Sequence, residues 1–346
     1  EDLIRLSKGE MDRFVRDQGW SAFRADQIRS WIYRKKATAF GEMTNLSKAD
    51  RSVLENRAKL GGLHLIQRQE SRDGTRKYLF GLEDGKAVES VLIPDNGRNT
   101  LCISTQVGCT LDCTFCLTGT MGLSRNLKAH EIVLQVLWIQ REIETEGESG
   151  DRLTNIVFMG MGEPLANYRE VVEALARLID QGLVGFPPRR ITVSTAGLVP
   201  QMKRLGGEDL NVNLAVSLNA TTDAVRDRIM PAINKQYPIK TLLEACRDYP
   251  LSPRRRLYIE YILLKGVNDS PEDARRLKRL LSSIRCKVNL IPFNAYPGSP
   301  FGRPSDNAVL DFQKILLDAG MTVFLRKSRG RDILAACGQL KTQGTP

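Results

Sequence analysis

From residue 1 to about residue 60, apolar positions such as Phe14, Phe23, Ile28, Ile32 and Leu54 sit singly among charges without strand-like alternation. That pattern predicts amphipathic helices. Around Arg76 it changes: Lys77–Gly81 and Ala87–Ile93 are short β-prone runs on either side of Asp84-Gly85, a hairpin signal. Beyond residue 99, continuous apolar runs alternate with helical stretches. The runs are Thr100–Ser104, Leu153–Met159, Arg190–Thr195, Val212–Leu218, Leu257–Leu264 and Val288–Phe293. Between the first two lies Lys128–Glu146, in which Ile132, Val133, Val136, Leu137 and Ile143 share one helical face. Such alternation predicts a parallel sheet covered by helices. Six β/α repeats are too few to close an eight-fold barrel. The expected fold is therefore α/β, an open partial (β/α)6 barrel with an N-terminal helical accessory domain and a short β-hairpin linker. The expected boundaries are 1–75, 76–98 and 99–346. In such sheets ligands bind at the carboxyl ends of the strands.

Composition narrows the class. With 42% hydrophobic and 26% charged residues the chain reads as soluble and globular, with no apolar stretch long enough for a membrane span and no signal-peptide pattern. Seven cysteines, clustered rather than distributed, point to metal binding or thiol chemistry in a reducing compartment, the cytoplasm. The net charge of +11 suits a polyanionic partner. Residues 1–86 hold 18 Lys/Arg against 13 Asp/Glu, and further basic clusters stand at Pro187–Arg190, Pro253–Arg256 and Arg326–Arg331. A single such cluster reads equally well as solvated surface; together they favour a nucleic acid, RNA or DNA.

Four cysteines, Cys102, Cys109, Cys113 and Cys116, fall within 15 residues at the end of the first expected barrel strand. Cys109-x3-Cys113-x2-Cys116 offers three thiolates, whereas a structural zinc site takes four ligands. Cys102 is available as a fourth, while the two histidines, His64 and His130, form no ligand-like pair. An iron–sulfur cluster held by three cysteines leaves one iron open to another ligand, and this spacing is the signature of radical S-adenosylmethionine (radical SAM) enzymes. Added to GMGEPL (160–165), ITVSTAG (191–197), AVSLNA (215–220), NLIPFN (289–294) and AACGQL (335–340), it makes the chain resemble the radical SAM adenosine C2-methyltransferases of the RlmN/Cfr family over nearly its whole length.

The resemblance implies a 4Fe–4S cluster on Cys109, Cys113 and Cys116 and two S-adenosylmethionine molecules per turnover. It implies that Cys337 takes a methyl group, is activated by a cofactor-derived radical and becomes joined to adenine C2. Cys102 then releases the RNA by attacking the Cys337 sulfur, leaving a transient disulfide. Glu89, in VESVLIP (88–94), matches the proton acceptor, and Gly162, Glu163, Ser194, Ser217, Leu218, Asn219 and Asn294 match cofactor contacts. Asn219 stands where the family often has His. Cys246 and Cys286 match no catalytic position and read as core thiols. The implied substrates are an adenosine of 23S rRNA and a tRNA adenosine beside the anticodon, and the implied electron source is a flavodoxin-like or other low-potential donor serving a monomer. Arg326–Arg331, just before Cys337, reads as a mobile basic loop. The same residues leave open a Cfr-type C8 methyltransferase, against which Pro164 and the run Ala295–Gly298 argue, and a non-catalytic RNA-binding protein with a structural metal cluster.

Overall fold

The computed structural model describes residues 1–147 and 151–342; the last four positions of the expected barrel segment, and 148–150 within it, lie outside the described residues. The N-terminal region holds three α-helices, α1 (Lys8–Asp17), α2 (Phe23–Arg29) and α3 (Lys48–Arg57). Ser7 and Glu10 close a reciprocal capping box at the start of α1, which satisfies two backbone donors that the first turn would otherwise leave open. The inward faces bury Met11, Val15, Ile28 and Leu54 in one apolar core shared with the barrel. Phe23, expected on an apolar face, is instead 65% exposed.

Ten strands form one continuous sheet. It begins as an antiparallel meander of β1 (His64–Glu70), β2 (Arg76–Gly81), β3 (Ala87–Asp95) and β4 (Arg98–Cys102). A short pair, β5 (Gln106–Gly108) and β6 (Leu123–Asn126), stands apart from it. The chain continues through helix α4 (Ala129–Glu146), β7 (Asn155–Phe158), helix α5 (Tyr168–Ile179) and β8 (Ile191–Thr195). There follow β9 (Asn213–Ser217), β10 (Leu257–Leu263), β11 (Cys286–Pro292) and β12 (Val323–Leu325), with helices on the crossovers. From β4 onward all neighbours in the sheet are parallel. This is an open α/β barrel of parallel strands covered by helices, and each of the six expected strands lies within two residues of its expected ends.

Three differences from the sequence reading matter. The hairpin is part of the sheet rather than a linker: β3 pairs with β4, so Val91 faces Cys102 across the ladder and Leu79 faces Glu89. Residues 64–70, placed in the helical segment, are strand β1. Almost all of β1 is exposed, so it carries no alternation to read. A seventh parallel strand, β12, closes the row; at three residues it is too short for a periodic signal.

Candidate active site

The carboxyl ends of the parallel strands open on a cavity of about 260 Å³. Its wall brings together Cys102 at the end of β4, the three cysteines of the following loop, and Cys337, more than two hundred residues downstream. All seven cysteines are free thiols. The disulfide that the resemblance implied between Cys102 and Cys337 is thus not present in the structure.

The cysteine loop is built for precision by its frame. Gly108 (φ +79°) lies so close to the Gly122 carbonyl that a Cβ would overlap it, which closes the β5–β6 pair around the loop. The Thr114 amide donates to the Ile229 carbonyl at 3.0 Å and the Leu117 amide to the Gly338 carbonyl at 2.8 Å, so the loop is held on two sides. Among the described residues no three Cys, His, Asp or Glu side chains converge as a single metal ion requires. A cluster in which each thiolate binds a different iron needs the thiols spread, and three soft thiols around a cavity with an uncommitted side fit that group.

The rest of the wall fits S-adenosylmethionine. At Gly162 (φ +98°) a Cβ would stand 2.5 Å from the Gln106 Cβ, so only glycine lets the turn after β7 approach β5. The same Gln106 accepts the Glu163 amide at 2.9 Å. The Glu163 carboxylate takes N–H groups from Leu165 (3.0 Å) and Ala196 (2.8 Å), yet its burial pushes its pKa up to about 7. A bound ammonium would compensate that burial. Asn294 donates to the Cys337 carbonyl at 3.4 Å, while its buried Oδ1 has no partner among the described residues. An orphaned acceptor in a cavity wall is where a ligand hydroxyl or amine is wanted.

Ser194, Ser217 and Asn219 line the same wall. Asn219 takes the left-handed backbone region (φ +59°), which asparagine tolerates well, and its amide is committed to the Ile262 N–H (2.9 Å) and the Met230 sulfur (3.4 Å). Leu218 is fully buried and not part of the wall; its amide bonds the Glu260 carbonyl at 3.1 Å.

Glu89 also stands behind the wall. Its carboxylate pairs with Lys77 at 3.1 Å and accepts the Lys341 amide at 2.9 Å, and burial raises its pKa against the pull of Lys77. The carboxylates that do reach the cavity are Glu163 and Glu260. Glu260 lies on β10, accepts from Asn289 at 3.3 Å and is raised by burial, with Arg326 as the opposing charge. Its charge bears on Cys102 and on the exposed Cys337 alike, though burial is the larger reason that Cys102 is pushed up to about 12.

Sequence reasoning missed Glu260, although a glutamate inside the apolar run Leu257–Leu264 is itself a signal of a buried polar role. It also missed Arg226, fully buried beneath the cavity. That guanidinium donates to the carbonyls of Ala196 (2.8 Å), Leu218 (3.1 Å) and Tyr237 (3.1 Å) and so fastens the loops after β8 and β9 together. No local pattern marks it, because its partners are backbone carbonyls of other segments and the Asn234 side-chain oxygen (3.1 Å).

Comparison with known proteins identifies the family. The radical SAM superfamily pattern matches residues 103–277, and that of the ribosomal RNA large subunit methyltransferase N-terminal domain matches residues 1–60. The radical SAM methyltransferase from Sphaerobacter thermophilus, solved by crystallography, superposes with a TM-score of 0.93 at 44% identity, covering 98% of this chain and 99% of that one. The fold and the three-cysteine cavity thus define a radical SAM enzyme, which carries a 4Fe–4S cluster and uses S-adenosylmethionine.

More narrowly, the chain belongs to the RlmN family of dual-specificity RNA methyltransferases. It is 54% identical to the Pelobacter propionicus member over 98% of this chain and 95% of the relative, and 55% identical to the Geobacter sulfurreducens member over 98% and 92%.

Proposed function

We propose that this protein methylates C2 of an adenosine in 23S rRNA and of an adenosine beside the anticodon of tRNA. The observation that carries the reading is the meeting of Cys102 and Cys337 in the cavity that the cluster-type cysteines line. Adenine C2 has no nucleophilic lone pair, so a methyl group cannot simply be handed to it by displacement. When bound, the cluster and S-adenosylmethionine supply the methyl group and the one-electron chemistry that activates it.

The residues divide the remaining work. Cys109, Cys113 and Cys116 ligate the cluster. Glu163 receives the cofactor's ammonium, the backbone at Gly162 allows its close approach, and Ser194, Ser217, Asn219 and the free Oδ1 of Asn294 complete the contacts. Leu218 contributes through the position of its backbone. Cys337 carries the methyl group and forms the bond to the base. Glu89, just behind the wall, accepts the proton lost from C2, and Cys102 attacks the Cys337 sulfur, so that an S–S bond forms between the two cysteines as the C–S bond to the methylated base breaks and the base is released. Arg326, Lys327 and Arg329, which line the mouth of the cavity, meet the phosphates of an RNA whose target base is unstacked into the pocket.

Seven thiols, three of them cluster ligands, suit the reducing cytoplasm, and no helix among the described residues is long and apolar enough to cross a membrane. We assign the protein there as a monomer served by a flavodoxin-like or other low-potential donor. Pro164 in GMGEPL favours the C2 product over the Cfr-type C8 product.

Anaerobic reconstitution with iron and sulfide, then incubation with S-adenosylmethionine and unmodified RNA, tests this reading. Mass mapping should find 2-methyladenosine in both RNAs. A methyl on C8 moves the protein to the other branch, and failure to cleave S-adenosylmethionine to 5′-deoxyadenosine leaves only an RNA-binding protein.

A further inference from the structure

Ala335 and Ala336, just before Cys337, are buried, but residues 331, 332 and 334 are exposed, so burial does not explain what holds the turn upstream of them. The stretch is a tight turn, Arg331–Ile333, between two left-handed residues, Gly330 (φ +63°) and Leu334 (φ +52°). A left-handed leucine is strained and persists only where the surroundings impose it.

The surroundings are the β1–β2 turn. Asp73 of that turn accepts the Gly330 amide at 2.9 Å. In return Asp332 accepts the Ser71 hydroxyl at 2.5 Å and the Arg72 amide at 3.2 Å. Asp73 is itself set by the Thr75 amide at 3.0 Å, and Lys77 donates to the Leu334 carbonyl at 3.4 Å. A Cβ on Gly330 would stand 2.9 Å from the Thr75 Cγ2, so the two turns are in contact. Downstream of Cys337 the chain is tied instead to the barrel, by Leu117 to the Gly338 carbonyl (2.8 Å) and by Thr118 to the Leu340 carbonyl (2.6 Å). Cys337 hangs between these two anchors.

We propose that Ser71, Asp73 and Asp332 form a reciprocal clasp that positions the Cys337 sulfur in the cavity, making the β1–β2 turn part of the machinery that loads the methyl group. These are positioning residues; none of them lines the cavity. The proposal rests on Cys337 being the methyl carrier, and its test separates the two.

The reconstituted holoenzyme is compared with Asp73→Ala/Asp332→Ala and with the conservative Asp73→Asn/Asp332→Asn pair. Cluster content and RNA affinity are measured alongside. Three readouts follow Cys337: its alkylation rate with iodoacetamide, hydrogen exchange of the amides from 330 to 334, and its methylation with S-adenosylmethionine by intact mass. The alanine pair should speed alkylation and exchange about tenfold and slow Cys337 methylation about tenfold, with cluster content and RNA affinity unchanged. The asparagine pair, which keeps an acceptor oxygen at each site, should return most of each rate. Unchanged alkylation and methylation in the alanine pair overturns the clasp, as does equal loss in both pairs. If the wild-type protein never carries a methyl on Cys337, the carrier reading falls, while the alkylation rates still decide whether the clasp places that sulfur.

Discussion

The two sides of the cavity are held by different physics. On one side Cys102, Ser194 and Glu260 project from strands whose neighbours, such as Leu101, Val193 and Ile259, are fully buried. Moving one of these side chains means moving the sheet, and packed cores resist displacement of even one methylene. On the other side the exposed Cys337 lies downstream of a turn fastened by a few polar contacts. The rigid side suits groups that must hold a cofactor in register. The fastened side suits the role proposed for Cys337, a sulfur that meets first a small cofactor and then an RNA base. A loop secured by hydrogen bonds opens at a cost of a few kcal/mol, which a sheet cannot match.

The comparison predicts where substitutions act. The largest effects fall on the two sulfurs. Cys337→Ala should abolish RNA methylation, more than a thousandfold, with cluster and cofactor binding intact. Cys102→Ala should instead trap protein joined to RNA, seen as a mass shift on denaturing gels that ribonuclease removes. Full-rate methylation by the Cys337 variant would overturn the mechanism.

Next comes the proton acceptor. Glu89→Gln should lower turnover roughly a hundredfold, an ordinary magnitude for losing a general base. A base works when ionised, so the wild-type rate should climb with pH through the raised pKa of this carboxyl, and the variant should lose that limb. If Glu260→Gln removes the limb and Glu89→Gln does not, the carboxylate within the wall is the base.

A smaller effect concerns Glu163, pushed up to about 7 by burial. A cofactor ammonium favours the ionised carboxylate, so affinity for S-adenosylmethionine should fall as pH drops below about 7, approaching tenfold per pH unit. Glu163→Gln should bind weakly and without that slope. In the protein without cofactor the sign reverses. Its folded pKa is raised, so the stability this group allows is present below its unfolded value and is lost as pH rises toward about 7, on the order of 3 kcal/mol. Melting curves of wild type and Glu163→Gln across that range measure it.

The smallest effects belong to the rim. Lys327→Ala and Arg329→Ala should each weaken RNA binding a few-fold and flatten the dependence of affinity on salt by about one phosphate contact, leaving Cys337 methylation untouched. Arg329 pairs with Asp95 at 2.9 Å, so its variant should show the smaller loss. Equal loss of RNA binding and Cys337 methylation would count against a separate RNA-binding rim.

Legibility follows range. The six strands β4 and β7 to β11 could be read because buried parallel strands are continuous apolar runs, and the cysteine loop because its thiols are neighbours in the chain. Strand β1 was missed since its side chains are exposed, and β12 since three residues carry no period. Glu89 was legible only as a matching spacing; that it is paired with Lys77 behind the wall depends on which face of β3 the sheet buries. Glu260 and Arg226 act through partners that no local window contains.

The sequence by itself determined the alternating architecture, the three-thiol ligand set and the chemistry that such a set supports, because these depend on periodicity and on spacing within one loop. Only the tertiary structure decided that Cys337 shares a cavity with Cys102, that the hairpin belongs to the sheet, and that its first turn grips the loop leading to the reactive sulfur. Those are contacts between segments hundreds of residues apart, made by backbone amides and carboxylates that any surface could offer, and they acquire meaning only when the sheet's register brings them face to face.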